Sequence, residues 1–163
     1  MRAYAIKKDF YKYFDGIYSL IAEVQFRTGL RISDVLNLKV YQLKRQPTIT
    51  ELKTGKKRRI YLNTKLLEKL KNRAVKMELT EKDYVFAKRK GEKPPHRSTI
   101  WRQYKKVAHY VYKTPRHVSP HSSRKTYTQS KANTMSVAQI KNKIGHDNLA
   151  TTLLYLYGGE KEG

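Results

Sequence analysis

The sequence contains no cysteine, few acidic residues and no long apolar run. Of 163 residues, 13 are Asp or Glu and 36 are Lys or Arg. The absence of cysteine excludes a disulfide framework and any metal site that uses thiolate ligands. No segment approaches the roughly 20 apolar residues that cross a bilayer, and residues 1–15 lack the apolar stretch of a signal peptide. We therefore expect no membrane-spanning segment and a cytoplasmic location.

The excess of cations gives the chain a formal net charge of +23. A charge of this size predicts a polyanionic partner, with DNA or RNA as the first choice and an anionic membrane surface as the second. A high net charge is also typical of disordered chains. The 13 Tyr, 4 Phe and single Trp, with 39% hydrophobic residues, instead indicate a packed core. At this length the chain is expected to form one domain.

The first half of the sequence combines a helical pattern with a short alternating one. Apolar residues in steps of three and four predict a helix over residues 9–27, with Asp9 as its N-cap and Gly29 as its stop. A short helix is expected next, over residues 33–38. Residues 41–61 alternate on both sides of a central turn, which predicts an antiparallel sheet of two or three strands.

The second half is predicted to be helical. A first-turn proline at Pro120 and a capping box at Ser136 supply clear start signals. The helices are expected over residues 64–76, over residues 98–112, over residues 121–132, from Ser136 to Gly145, and from Asp147 or Asn148 onward. The predicted fold is therefore mainly α with a small antiparallel β-sheet, in the α+β class.

His121 and Arg124 form a His-x-x-Arg step in the first turn after Pro120. Residues three apart share a helix face, and the free amides and dipole at a helix start favour an anion. An imidazole and a guanidinium can each donate to a phosphate oxygen there. Taken alone, the pattern also fits a capping histidine and a solvated arginine.

Arg31 lies just after Gly29, at the entry to the short second helix. An ion pair with Asp34, one turn further on, would orient its guanidinium. The other interpretation of Asp34 is a first-turn carboxylate that the helix dipole favours.

Lys53 lies beside the predicted hairpin turn, where it could reach a DNA groove and donate a proton to a leaving oxygen. Four cations follow it in a cluster typical of nonspecific phosphate contacts: Lys56, Lys57, Arg58 and Arg59. Taken alone, His146 after a helix end and Tyr155 among 13 tyrosines would both be packing residues.

Four segments of the sequence resemble motifs of a known family and occur in the same order as those motifs. TGLRISDVLNL at 28–38 is similar to the first arginine box of the tyrosine recombinases (the phage integrase family), and PHSSRKTYTQS at 120–130 is similar to the second. ELKTGKKRRIYL at 51–62 resembles the lysine hairpin between them. GHDNLATTLLY at 145–155 resembles the ending in which Gly-His precedes two threonines and the nucleophile. Together they cover nearly the whole chain and imply the family's catalytic-domain fold, of the DNA breaking-rejoining type.

The resemblance implies a role for each candidate residue. Tyr155 is expected to be the nucleophile, Lys53 the general acid, and Asp34 a support of the arginine site. The residues expected around the scissile phosphate are Arg31, Arg124, His121 and His146. The implied activity is site-specific DNA cleavage and rejoining, for the integration or recombination of a mobile element. It would proceed through a covalent 3′-phosphotyrosine and need no metal, cofactor or ATP.

Three departures from the family pattern stand near these residues. Ser123 replaces the usual Leu and Lys125 a common His, and neither change removes a phosphate donor. Only eight residues follow Tyr155, which leaves open whether a C-terminal segment is exchanged between subunits. Tyr157 is the competing nucleophile, but on a helix it would point about 200° away from Tyr155.

The implied partner is double-stranded DNA, bound by a homo-oligomer that is a tetramer on DNA in the full-length protein and is associated with the nucleoid. We expect residues 1–163 to form a single catalytic domain without the family's N-terminal core-binding domain. Two alternatives remain. One is a type IB topoisomerase that relaxes supercoils. The other is a DNA-binding module without catalysis, since residues 136–157 also fit a helix-turn-helix.

Overall fold

The computed structural model describes residues 6–113, 117–146 and 148–157. Over these residues the chain forms seven α-helices and one two-stranded antiparallel sheet. The helices are α1 (Gly16–Thr28), α2 (Ile32–Leu36), α3 (Thr64–Lys76), α4 (Arg97–Tyr112), α5 (Pro120–Ser130), α6 (Val137–Ile144) and α7 (Leu149–Tyr157). The strands are β1 (Thr48–Thr50) and β2 (Lys57–Arg59). The predicted mainly α fold with a small antiparallel sheet is confirmed.

The helix predicted over residues 9–27 is wrong in its first third. A short 3-10 helix, Phe10–Tyr13, comes first, and the chain is extended for two residues before α1 begins. Phe10 and Phe14 are still both buried, with ring centroids 5.4 Å apart, and both rings contact Tyr104 of α4. The break lets the two rings meet edge to face and pack on α4. Helical spacing does not encode that tertiary contact.

Several predicted helix ends coincide with caps in the structure. Gly29 and Gly145 end α1 and α6 in the left-handed conformation, at φ 68° and 71°. The Asn148 side chain accepts a hydrogen bond at 2.9 Å from the backbone amide three residues later. Asp147, the alternative cap, lies outside the described residues. The cap expected at Asp9 is wrong, because its side chain makes no capping hydrogen bond.

The hairpin alternates between an exposed and a buried face. Thr48 lies opposite Arg59, and Thr50 lies opposite Lys57. In both strands the outer residues are exposed and the middle one is buried, as the two-residue period of a strand requires. The turn between the strands carries Lys53.

Two groups of buried apolar side chains form the interior. The main core includes Ile21, Leu66 and Tyr104, from α1, α3 and α4. A smaller cluster joins α5, α6 and α7, and its buried members are Tyr127, Ile140, Ile144 and Leu156. Helix α5 packs against α1 and also against α7, so it connects the two groups. Among the described helices, none combines the length and apolarity that crossing a membrane requires.

Helix α5 is buried along most of its length although its sequence is polar. Its hydroxyl groups find partners: Ser123 shares a 2.6 Å hydrogen bond with the Tyr104 hydroxyl, and Thr128 donates to the Arg124 carbonyl at 2.8 Å. A buried hydroxyl is tolerated when it is hydrogen-bonded. This helix therefore forms the polar centre of the domain, and it presents His121 and Arg124 from its first turns.

The close packing of α1 on α5 makes Gly29 a stability determinant. A Cβ at this position would overlap the buried Tyr127 ring, and its positive φ would strain any other residue. We expect Gly29→Ala to lower the free energy of unfolding by about 2–4 kcal/mol, from strain plus overpacking. Gly55→Ala is the matched control, since its φ is 70° but nothing lies within 4 Å of the added Cβ. It should cost about 1–2 kcal/mol, from the left-handed backbone alone. Equal losses in chemical denaturation would contradict the packing argument.

Candidate active site

Arg31 is held at the entry to α2 by two partners from distant segments. Its Nη1 forms an ion pair with the buried Glu51, and its Nη2 donates to the Gly145 carbonyl at 3.3 Å. The predicted ion pair between Arg31 and Asp34 is therefore wrong. Asp34 instead accepts a hydrogen bond from the Leu52 amide at 2.9 Å, which ties the Lys53 turn to α2. Glu51 takes the orienting role because the hairpin brings it under the guanidinium.

Arg124 is almost fully buried, with 2% of its surface exposed. Its Nη2 donates to the Ile144 carbonyl at 2.9 Å, and within the described part of the chain its Nη1 has no hydrogen-bond partner. Burial lowers the pKa of Arg124 to about 10; the Tyr155 phenol beside it opposes this shift, and Arg31 and Arg58 add to it. The guanidinium remains charged at neutral pH, with donor capacity for an anion.

Arg58 was predicted as a surface contact to DNA, and this prediction is wrong. It is only 7% exposed, because alternation along β2 turns it inward while Lys57 and Arg59 face solvent. Its Nη1 donates to the Lys143 carbonyl, and its Nε lies 3.7 Å from Glu51. Burial lowers the Arg58 pKa, against the attraction of Glu51. The three neighbouring cations predicted with it are exposed: Lys56, Lys57 and Arg59.

His146 and Tyr155 pack against each other, and Tyr155 interacts with the buried Arg124. The His146 Nδ1 lies 3.0 Å from the Thr152 hydroxyl, and the His146 and Tyr155 rings pack edge to face with centroids 4.6 Å apart. Tyr155 is half-buried and interacts with Arg124, whose pKa it raises. Tyr157, the competing nucleophile, is 71% exposed on the outer side of α7. The structure thus brings the C-terminal phenol to an arginine that the sequence places 31 positions earlier.

A cavity of about 800 Å³ lies in front of Arg31. Four of the predicted site residues line it together: Arg31, Asp34, Lys53 and His121. Trp101 of α4 also lines it and packs edge to face on the His121 ring, with centroids 5.9 Å apart. Lys53 is exposed at the hairpin turn. In the described residues no cluster of three or more His, Cys, Asp or Glu is arranged to hold a metal ion.

The environment of His121 favours its neutral form. Although His121 is exposed, partial desolvation of its ring by neighbouring atoms lowers the pKa of the imidazole, and repulsion from Arg124, Arg31 and Lys53 lowers it further. A neutral imidazole can accept a proton or donate one from its remaining N–H. The side chain is therefore suited to proton transfer near neutral pH.

Comparison with known proteins identifies the family. The model of the phage integrase family matches residues 8–160. The chain belongs to the phage integrase family. It is 28% identical over 147 residues to a tyrosine recombinase of Pseudothermotoga lettingae, covering 88% of this chain and 50% of the relative. It is 30% identical over 142 residues to the tyrosine recombinase XerA of Pyrococcus furiosus, covering 83% and 48%. The chain spans about half the length of these relatives.

Solved structures of family members share the fold at low sequence identity. The XerH site-specific recombinase, in a post-cleavage complex with palindromic difH substrate, superposes with a TM-score of 0.78 at 17% identity, over 97% of this chain and 50% of that one. The lambda integrase fragment 75–356, a dimer bound to a COC′ core site, gives 0.73 at 17% identity, over 100% and 63%. The predicted tyrosine-recombinase catalytic-domain fold is confirmed.

Two residues of this phage integrase site were missed from the sequence. Glu51 is the only acidic residue between Asp34 and Glu68. A single carboxylate among so many cations is a pattern that indicates an ion pair. Trp101 gave no comparable signal. Its place beside His121 depends on how α4 crosses α5.

The charge of Glu51 is expected to stabilise the whole site. Glu51→Gln keeps the shape but leaves Arg31 and Arg58 without their carboxylate, and removing one member of a buried ion pair costs about 3 kcal/mol or more. Glu68→Gln, on an exposed position of α3, is the control and should change stability by less than about 0.5 kcal/mol. Urea denaturation of both variants measures the difference. A Glu51→Gln protein as stable as the Glu68→Gln protein would contradict the structural role of the pair.

The His121 ring is expected to titrate below the value of about 6.5 found in model peptides. Because its pKa is lowered by folding, the unfolded chain takes up the proton first as pH falls. This group's contribution to stability is therefore constant above about 6.5 and decreases below that pH. NMR titration, with His121→Gln to assign the signal, gives the midpoint. Trp101→Ala should move the midpoint upward by exposing the ring, and a wild-type midpoint at or above 6.5 would refute the assignment.

Proposed function

We propose that this chain catalyses site-specific DNA cleavage and rejoining, as a tyrosine recombinase, with Tyr155 as nucleophile. The observation that carries the proposal is the contact of the Tyr155 phenol with both the His146 ring and the buried Arg124 guanidinium. A phenol beside a guanidinium with an unused donor is suited to attack a phosphodiester that the same guanidinium binds.

In the proposed reaction, side chains carry out every proton transfer and neutralise the charge on the phosphate. The Tyr155 oxygen attacks phosphorus and loses its proton to an imidazole. His146 packs against the Tyr155 ring, and His121 is the second histidine of the site that can take up a proton. The bond from phosphorus to the 5′ oxygen breaks, Lys53 protonates the departing oxygen, and the DNA 3′ end stays attached to Tyr155. Arg31 and Arg124 neutralise the nonbridging oxygens in the transition state. Attack by a 5′-hydroxyl then reverses these steps, so the bond energy is conserved and no ATP is consumed.

The proposed partner is double-stranded DNA. The net charge of +23 supports it, as do the difH substrate and the COC′ core site that XerH and lambda integrase bind in their complexes. We assign nonspecific backbone contacts to the exposed cations of the hairpin: Lys56, Lys57 and Arg59. Asp34 contributes by fixing the hairpin that carries Lys53. For strand exchange we propose a homotetramer on DNA, in the cytoplasm at the nucleoid.

The central test is a covalent trap. A nicked suicide DNA substrate, from which the short fragment bearing the new 5′-hydroxyl dissociates after cleavage, should leave the protein attached to DNA on a denaturing gel. Tyr155→Phe should abolish the adduct, because the phenol oxygen is gone. Tyr157→Phe is the matched control two positions away, on the exposed side of α7, and should retain it. Mass spectrometry of the trapped peptide locates the modified residue.

The outcomes separate the alternatives. An adduct mapped to Tyr157, or one that persists in Tyr155→Phe, would refute the assignment of the nucleophile. DNA binding without any adduct would favour a non-catalytic module. Relaxation of supercoiled DNA without exchange between two cognate sites would favour a type IB topoisomerase.

A further inference from the structure

The helical pair α6–α7 carries His146 and Tyr155 but lies outside the main core. Its buried side chains Ile140, Ile144 and Leu156 belong to the smaller cluster, together with Tyr127 of α5. The end of α6 is joined to the remainder of the domain by guanidinium groups at its last carbonyls. The strength of these hydrogen bonds therefore affects the position of the Tyr155 phenol.

Arg58 differs from the other two arginines in what it is able to contact. Arg31 lines the cavity, and Arg124 lies beside Tyr155, so both are expected to turn donors to a bound phosphate. Arg58 is buried, and it is not among the described residues that line the cavity. Its described contacts are the Lys143 carbonyl and Glu51. Arg58 can therefore remain hydrogen-bonded to the Lys143 carbonyl while Arg31 and Arg124 bind a DNA phosphate.

Glu51 extends this contact to the hairpin. Its backbone closes the turn around Lys53, accepting from the Gly55 amide at 2.8 Å and donating to the Lys56 carbonyl at 2.9 Å. Its side chain faces Arg31 and Arg58, and a Cβ on Gly145 would overlap its carboxylate. A continuous set of contacts thus runs from the Lys53 turn to the residue before His146.

We propose that Arg58, paired with Glu51, is a positioning residue that holds the end of α6, and with it His146 and Tyr155, against the hairpin that bears Lys53. The inference rests on the proposed function for its effect on catalysis, but the docking of α6–α7 is measurable without DNA. The negative end of the α6 dipole and the Glu51 carboxylate both favour a buried cation at this point. Arg58 acts through the protein and does not touch substrate.

Hydrogen exchange of the whole chain tests the docking. Arg58→Met keeps an unbranched apolar stem in place of the aliphatic part of arginine but loses the charge and the donors. Amides of residues 137–157 should exchange roughly tenfold faster or more, while those of α1 and α3 stay as in the wild type. Arg59→Met is the matched control, because the neighbouring side chain faces solvent. It should leave exchange in residues 137–157 unchanged.

A kinetic measurement shows whether docking matters for the reaction. On the suicide substrate, Arg58→Met should form adduct roughly tenfold more slowly at saturating DNA, with the half-saturating DNA concentration changed by less than about twofold. Arg59→Met should instead raise the half-saturating concentration, as loss of a phosphate contact does. A change confined to half-saturation in Arg58→Met would overturn the positioning role.

Arg58→Lys is a second, milder variant that tests the same proposal if the Arg58→Met protein does not fold. Lysine keeps the charge but cannot reach both Lys143 and Glu51 with a planar fork, so it should loosen residues 137–157 selectively and less than methionine does. Unchanged exchange there, or equal acceleration throughout the chain, would overturn the proposal. If the wild type forms no adduct, the proposed function fails, and the exchange comparison still decides whether Arg58 holds the pair.

Discussion

Three guanidinium groups from separate segments converge on consecutive carbonyls at the end of α6. Arg58, Arg124 and Arg31 donate to the carbonyls of Lys143, Ile144 and Gly145, respectively. Such a cluster of like charge would be unfavourable in isolation. It is tolerated because the end of a helix carries partial negative charge and because Glu51 supplies a full one. The positions of the hairpin, of α5 and of the α6–α7 pair all depend on this convergence.

The same convergence prepares the site for an anion. The buried Arg124 guanidinium keeps an Nη1 that has no hydrogen-bond partner among the described contacts. Groups desolvated in this way gain more from a bound phosphate than they would at the surface. Burial lowers the pKa of Arg124 because it destabilises the charged guanidinium, and a bound anion would stabilise that charge. A phosphodiester is suited to meet it with two nonbridging oxygens.

Helix α5 links this electrostatic arrangement to the packing of the domain. Its hydroxyl-rich surface lies between the two apolar groups, and its first turns present His121 and Arg124. Because its buried hydroxyls bond to defined partners, the helix has one favourable orientation. That orientation fixes the direction of the guanidinium. The first-turn proline at Pro120 marks in the sequence where this helix begins, but it does not show that the helix is central.

The sequence by itself determined the order of the helices, the hairpin, the left-handed glycines at Gly29 and Gly145, and which side chains are candidates to bind phosphate, because these depend on local spacing and on residue type. Only the tertiary structure decided that Glu51 rather than Asp34 pairs with Arg31 and that Arg58 points inward. It also decided that the chain breaks after Tyr13. Arg31 and Gly145 are 114 positions apart, and Arg58 and Lys143 are 85 apart. Contacts over such separations follow from how elements cross, which no local periodicity records.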